Sequence, residues 1–167
     1  MEYPGALHSP SSLGADFMLR QKITAVFQEK KEISFEAVLQ KVGNKLTLLG
    51  LTPFGSRAFL LEQTGTEIQF TNYVGRELPF PPKYILLDIQ RTLRTGEASP
   101  DEDVKEVWKD GRLYERRVSR KDNHPPGELV ITYEGGMPPG SPPPKMTFDN
   151  AWFGYRLTIE TTESRKL

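Results

Sequence analysis

The chain has no cysteine, which removes disulfides, thiolate metal sites and a cysteine nucleophile. It has no net charge either, since 22 basic residues offset 22 acidic ones. A general nucleic-acid footprint needs a basic surplus, so the balance argues against that class. Apolar runs are short: Leu46–Leu51, interrupted by Thr47 and Gly50, and Tyr84–Leu87. Both fall well below the roughly 20 residues of a membrane-spanning helix. The N-terminus lacks the basic region and apolar segment of a signal peptide. Met1 before Glu2, Tyr3, Pro4 and Gly5 reads as a start on a trimmed chain, and a removed leader is the expectation.

Catalytic patterns are equally scarce. The two histidines, His8 and His124, lie in loop-like segments, and a metal centre needs more ligands than these. No nucleophile elbow, phosphate loop or dinucleotide fingerprint is present. Asp101, Glu102 and Asp103 form a charge run without the spacing or sharp-turn glycine of a calcium loop. They read as a solvated loop over 97–103. Paired carboxylates for glycoside hydrolysis stay open, because a sequence gives no separations between them.

What is present is alternation. The 167 residues suit one domain, and 37% apolar with 26% charged content is globular rather than disordered. Residues 1–14, rich in Pro, Ser and Gly, read as a flexible arm, 15–163 as a single β domain and 164–167 as a frayed tail. Phe17, Leu19, Ile23, Ala25 and Phe27 share one face of a strand, with Arg20, Lys22, Thr24 and Gln28 on the other. A charged turn at Glu29–Lys31 leads to a second strand, where Ile33, Phe35, Ala37 and Leu39 alternate with polar residues. Further strands are predicted over 45–51, 57–62, 67–72, 104–109, 112–120, 129–133, 146–149 and 155–161. Short turns such as Gly43-Asn44 and Asp110-Gly111 make the sheet antiparallel. After the extended segment Leu78–Pro82, helical spacing over 83–94 places Ile85, Leu86, Ile89 and Leu93 in one stripe. Met137–Pro144, dense in proline, is predicted as a surface loop.

Two features point toward binding rather than catalysis. Phe54 sits in a turn between Pro53 and Gly55, where polar residues are usual. It either folds back onto the sheet or forms an apolar tip for a membrane or a partner. Trp152 and Phe153 pose the same question in the last hairpin, where capping the end of a sheet core is the simpler reading. Several strands are also apolar on both faces, with Val26 beside Phe27, Val38 beside Leu39, and Leu46 and Leu48 beside Leu49. One helix covers only part of such a sheet, which permits an apolar cavity. A compact sandwich accounts for the pattern as well.

The run Lys45–Arg57 through Thr52-Pro53-Phe54-Gly55, followed by a hairpin and then Leu78-Pro79-Phe80 before a helix, resembles the outer-membrane lipoprotein receptor family LolB. It is more similar still to a related, uncharacterised group of bacterial lipoproteins. The resemblance covers roughly residues 15–163. It implies a mainly β fold: a curved, incompletely closed antiparallel half-barrel with a helical lid, holding acyl chains inside. It also implies a membrane-contact loop at Pro53, Phe54 and Gly55, and a periplasm-facing, lipid-anchored protein of the outer membrane. The anchoring cysteine of such proteins is missing here.

The resulting expectation is a non-catalytic protein without cofactor or metal, a monomer that binds lipid acyl chains or acylated lipoproteins. Its cavity would be lined by Phe17, Leu19, Ile23, Phe35, Leu39, Leu60, Phe70, Ile85 and Ile89. A one-residue register error would flip such a face assignment. The alternatives are an envelope scaffold with a packed core and a lipid or glycan hydrolase.

Overall fold

The computed structural model describes residues 3–28, 31–75, 81–94, 99–138 and 141–167. The predicted segment Leu78–Phe80 and the first residues of the charged turn, Glu29 and Lys30, lie outside them. A 3-10 turn at Pro10–Leu13 precedes strands β1 (Phe17–Phe27), β2 (Glu32–Val42), β3 (Lys45–Leu51), β4 (Arg57–Thr64) and β5 (Glu67–Asn72). Helix α1 (Pro82–Leu93) follows. Then come β6 (Glu102–Lys109), β7 (Arg112–Arg120), β8 (Glu128–Met137), β9 (Lys145–Asn150) and β10 (Tyr155–Lys166). The strands form one ten-stranded sheet in the order β5-β4-β3-β2-β1-β10-β9-β8-β7-β6, so β5 and β6 end the order and the sheet does not close. Pairing is antiparallel throughout β2–β5 and throughout β6–β10. The expected antiparallel sheet is therefore present, with one α-helix among the described residues.

The chain divides into two compact units. The first comprises Met1–Lys22, Phe35–Leu93 and Thr162–Leu167. Its buried face is set by cross-strand rows. One row runs Leu39, Leu48, Leu61 and Phe70 through β2, β3, β4 and β5. A second places Ala37 beside Gly50 and Gly50 beside Phe59. Gly50 carries no side chain because the Phe59 ring occupies its place: a Cβ there would overlap the ring. Phe35 and Phe70 stand edge-on and tilted to Phe59 at 5.9 and 6.1 Å between centroids.

Proline at the start of α1 suits a first turn whose N–H groups lack helical partners. Leu86 and Leu87 are buried, but so are Asp88, Gln90 and Thr92. The helix is covered on more sides than its apolar stripe foretells, and Ile85 and Ile89 of that stripe are only half-buried. The extra cover is the N-terminal arm. Where a flexible segment over 1–14 is expected from composition, Tyr3 is 1% exposed. Its hydroxyl donates to Asp88, its ring stacks on Tyr84 at 5.0 Å, and the Arg91 guanidinium lies 5.0 Å from its centroid.

The second unit comprises Ile23–Ser34 and Arg94–Thr161. One buried row runs Val118, Leu129, Asn150 and Tyr155. Another runs Arg116, Ile131, Phe148 and Leu157. Trp152 caps its end as expected, buried and donating from Nε1 to the Gly127 carbonyl at 3.0 Å.

Two loop expectations are corrected. Glu102 is not solvated: it opens β6, is 7% exposed and lies 3.8 Å from the Arg120 guanidinium. The predicted loop at Met137–Pro144 begins later, because β8 continues to Met137, which pairs with Leu113 across a register shift. Gly135 and Gly136, at φ +77° and +82°, allow the strand to continue past that irregularity. Further along, β10 runs to Lys166 over part of the expected tail, and Leu167 N–H donates to the Asp16 carbonyl at 3.2 Å.

Candidate functional site

The loop joining β3 to β4 is short and closed by its own hydrogen bonds. Gly55 N–H donates to the Thr52 carbonyl at 2.9 Å, and Thr52 N–H to the Ser56 carbonyl at 2.8 Å. The Thr52 and Ser56 hydroxyls meet at 2.7 Å, and Ser56 N–H donates to Thr52 Oγ1 at 3.2 Å. Gly55 takes φ +81°, a conformation that costs glycine little. Pro53 pre-sets its own φ ahead of the turn. These bonds close the loop from Thr52 to Ser56, and Phe54 between them is 97% exposed. It does not fold back onto the sheet.

The residues expected to line a cavity fall into different settings. Leu19 and Leu39 are buried, whereas Phe17, Phe35, Ile85 and Ile89 are half-buried and Phe70 is 36% exposed. Leu39 and Phe70 belong to one cross-strand row, and Phe35 joins them through Phe59. Leu60 does not belong to this face. It pairs with Leu49 and Thr71, one residue out of step with the Leu48–Leu61–Phe70 row. Side chains alternate between faces, so that step places Leu60 on the opposite side with Val38 and Leu49. Ile23 is half-buried on the part of β1 that belongs to the second unit.

Polar side chains also occupy the interior, and the sequence reading missed them. Gln63 occupies an inward position of β4 and is 0% exposed. Its Nε2 donates to the His8 and Gly65 carbonyls, each at 2.8 Å. Gln90 of α1 donates to Gln63 Oε1 at 2.9 Å and to the His8 carbonyl at 3.0 Å, and accepts from His8 N–H at 2.9 Å. One amide pair thus ties helix, sheet and arm together. The signal was available as Gln63 in phase with Phe59 and Leu61, but alternation alone does not separate a misplaced polar residue from a paired one. At the start of β1, Lys41 Nζ donates to Asp16 Oδ1 at 2.9 Å and to the Gly14 carbonyl. That bond, with a second from Gly43 N–H at 2.9 Å, holds the Asp16 carboxyl below the usual carboxylate range.

In the second unit, Arg116 is 4% exposed and donates to Glu106 Oε2 at 2.9 Å and to the Arg94 carbonyl at 2.9 Å. Tyr133 lies within reach of their fields, and burial pushes its phenol up. Removing one member of such a buried pair is costly, because it leaves the other charge in a dry setting. His124 is exposed, with its N–H donating to Asp122 Oδ1 at 3.0 Å. Among the described residues no group of three or more His, Asp or Glu side chains could hold a metal ion.

Residues 18–163 match the family model DUF3261, described as "Protein of unknown function". The fold is similar to that of a LolA superfamily protein from Nitrosomonas europaea, with TM-score 0.55, 10% identity, and 96% of this chain and 94% of that one covered. A weaker likeness, at TM-score 0.46 and 9% identity over 91% of this chain and 85% of the other, is to a candidate outer membrane lipoprotein-sorting domain from Vibrio parahaemolyticus. No curated protein sequence matches. The first of these structures carries the fold assignment.

Proposed function

The chain belongs to the DUF3261 family and has a LolA-like fold, and from that premise we propose that it binds lipid or acylated lipoprotein and passes it at a membrane surface. The observation that carries this reading is Phe54, 97% exposed at the tip of a loop whose hydrogen bonds exist to display it. A Phe side chain in water forgoes roughly 2 kcal/mol that burial in an apolar medium returns. The half-buried Phe35 and the 36% exposed Phe70, both against the Phe59 ring, offer apolar surface to acyl chains, and the half-buried Phe17, Ile85 and Ile89 are candidates to extend it. Each methylene removed from water contributes about 0.8 kcal/mol, and no covalent step or cofactor is needed. The setting consistent with this chemistry is the cell envelope, on the periplasmic side of the outer membrane.

The competing reading is a packed interaction module. It draws on the arm, whose Tyr3 fills space against α1, and on the interior Gln63–Gln90 pair. Native mass spectrometry of protein purified without detergent, followed by displacement of an environment-sensitive fluorescent fatty acid, separates the two. Co-purified acyl species with saturable displacement support carriage. A clean apo mass with no displacement would overturn it and favour the packed module.

A further inference from the structure

We propose that the first unit carries a second membrane prong beside Phe54, formed by Tyr73 and Val74, and that the two together dock on an anionic lipid surface. This rests on the reading that Phe54 meets a membrane. Antiparallel order places the end of β3, the start of β4 and the end of β5 at one end of the sheet. The ladder continues one step past β5, with Tyr73 N–H donating to the Ala58 carbonyl at 3.0 Å. Ala58 follows Arg57, the first residue after the Phe54 loop. The two segments are therefore neighbours through β4.

Tyr73 and Val74 are 44% and 45% exposed. They are held there as deliberately as Phe54: Asn72 Oδ1 accepts from Val74 N–H at 3.1 Å and from Gly75 N–H at 2.9 Å, and Gly75 takes φ +71°. Single exposed apolar residues are ordinary on any surface. Two prongs at the same end, each fixed by its own closed turn, are not scattered exposure. Their chemistry suits a bilayer interface, with Phe and Val for the acyl boundary and the amphipathic Tyr for the headgroup level. The charge is complementary as well: residues 52–57 and 72–75 contain Arg57 and no carboxylate. A cation beside an apolar wedge is drawn toward an anionic leaflet.

The absence of cysteine makes the test clean, because a single introduced cysteine carries the only label. Phe54→Cys, Tyr73→Cys and Asn44→Cys are each labelled with an environment-sensitive fluorophore. Asn44, in the β2–β3 turn at the opposite end of β3, is the control. Each is mixed with phosphatidylethanolamine–phosphatidylglycerol vesicles with or without nitroxide lipids. Labels at 54 and 73 should brighten and be quenched, and the label at 44 should not. A response at 54 alone overturns the second prong and leaves the Phe54 reading standing. Silence at both overturns both. An equal response at 44 means unoriented adsorption and also overturns the proposal, as does equal binding to uncharged phosphatidylcholine vesicles. In unlabelled protein, the double substitution Tyr73→Ser, Val74→Ser should weaken vesicle binding by about tenfold while leaving the thermal midpoint unchanged. Unchanged binding would overturn the proposal.

Discussion

At the scale of single residues, exposure and partners decide what a substitution does. Phe54 touches almost nothing, so Phe54→Glu should change folding stability by less than about 0.5 kcal/mol while impairing transfer of acyl cargo to vesicles. Urea unfolding alongside a transfer assay checks both halves, and a strongly destabilised variant would place Phe54 in the core. Asp16 titrates differently. Its hydrogen bond from Lys41, then that from Gly43, depresses its folded pKa. A depressed carboxyl contributes stability that is fully present above the unfolded value near 4 and is lost as pH falls through the folded value. The thermal midpoint of the wild type should therefore fall more steeply than that of Asp16→Asn as pH drops below about 4. Parallel curves would show that the contact contributes nothing.

At the scale of elements, helix α1 is an example of tertiary contacts adding to what periodicity shows. Its existence and approximate ends were readable from the stripe at Ile85, Leu86, Ile89 and Leu93 and from the prolines before it. Its polar contacts were not, because Gln90 and Asp88 meet residues 27 and 85 positions away in sequence. Gln90→Leu would leave Gln63 Oε1 and the His8 backbone without their helix partner. A buried group stranded in this way costs about 1–3 kcal/mol, measurable as a lower urea midpoint, with faster hydrogen exchange in α1. In the second unit, Glu106→Gln would remove the carboxylate charge that lies 2.9 Å from the Arg116 guanidinium. Removing one member of a buried pair costs roughly 3–5 kcal/mol. A loss below about 1 kcal/mol, typical of exposed pairs, would mean that water reaches the site.

At the scale of the whole molecule, the chain is an open ten-stranded antiparallel sheet with one α-helix among the described residues. A cargo that binds only the folded protein raises its stability by about 2.7 kcal/mol at a free concentration of 100 Kd. Titrating fatty acid or detergent-free lysophospholipid should therefore raise the thermal midpoint progressively, and an unmoved midpoint at saturating concentration would argue for a filled interior. Alternation, turn residues and helical spacing determined the strands, their antiparallel sense, the helix and the oddly placed Phe54, because each of these is a local property of a few consecutive residues. Only the tertiary structure decided that Leu60 faces away from Phe70, that Glu102 is buried, and that Tyr3 and His8 clasp α1. Those outcomes depend on strand register and on contacts between distant segments, which a period-two pattern leaves free by one residue and a polar arm does not advertise.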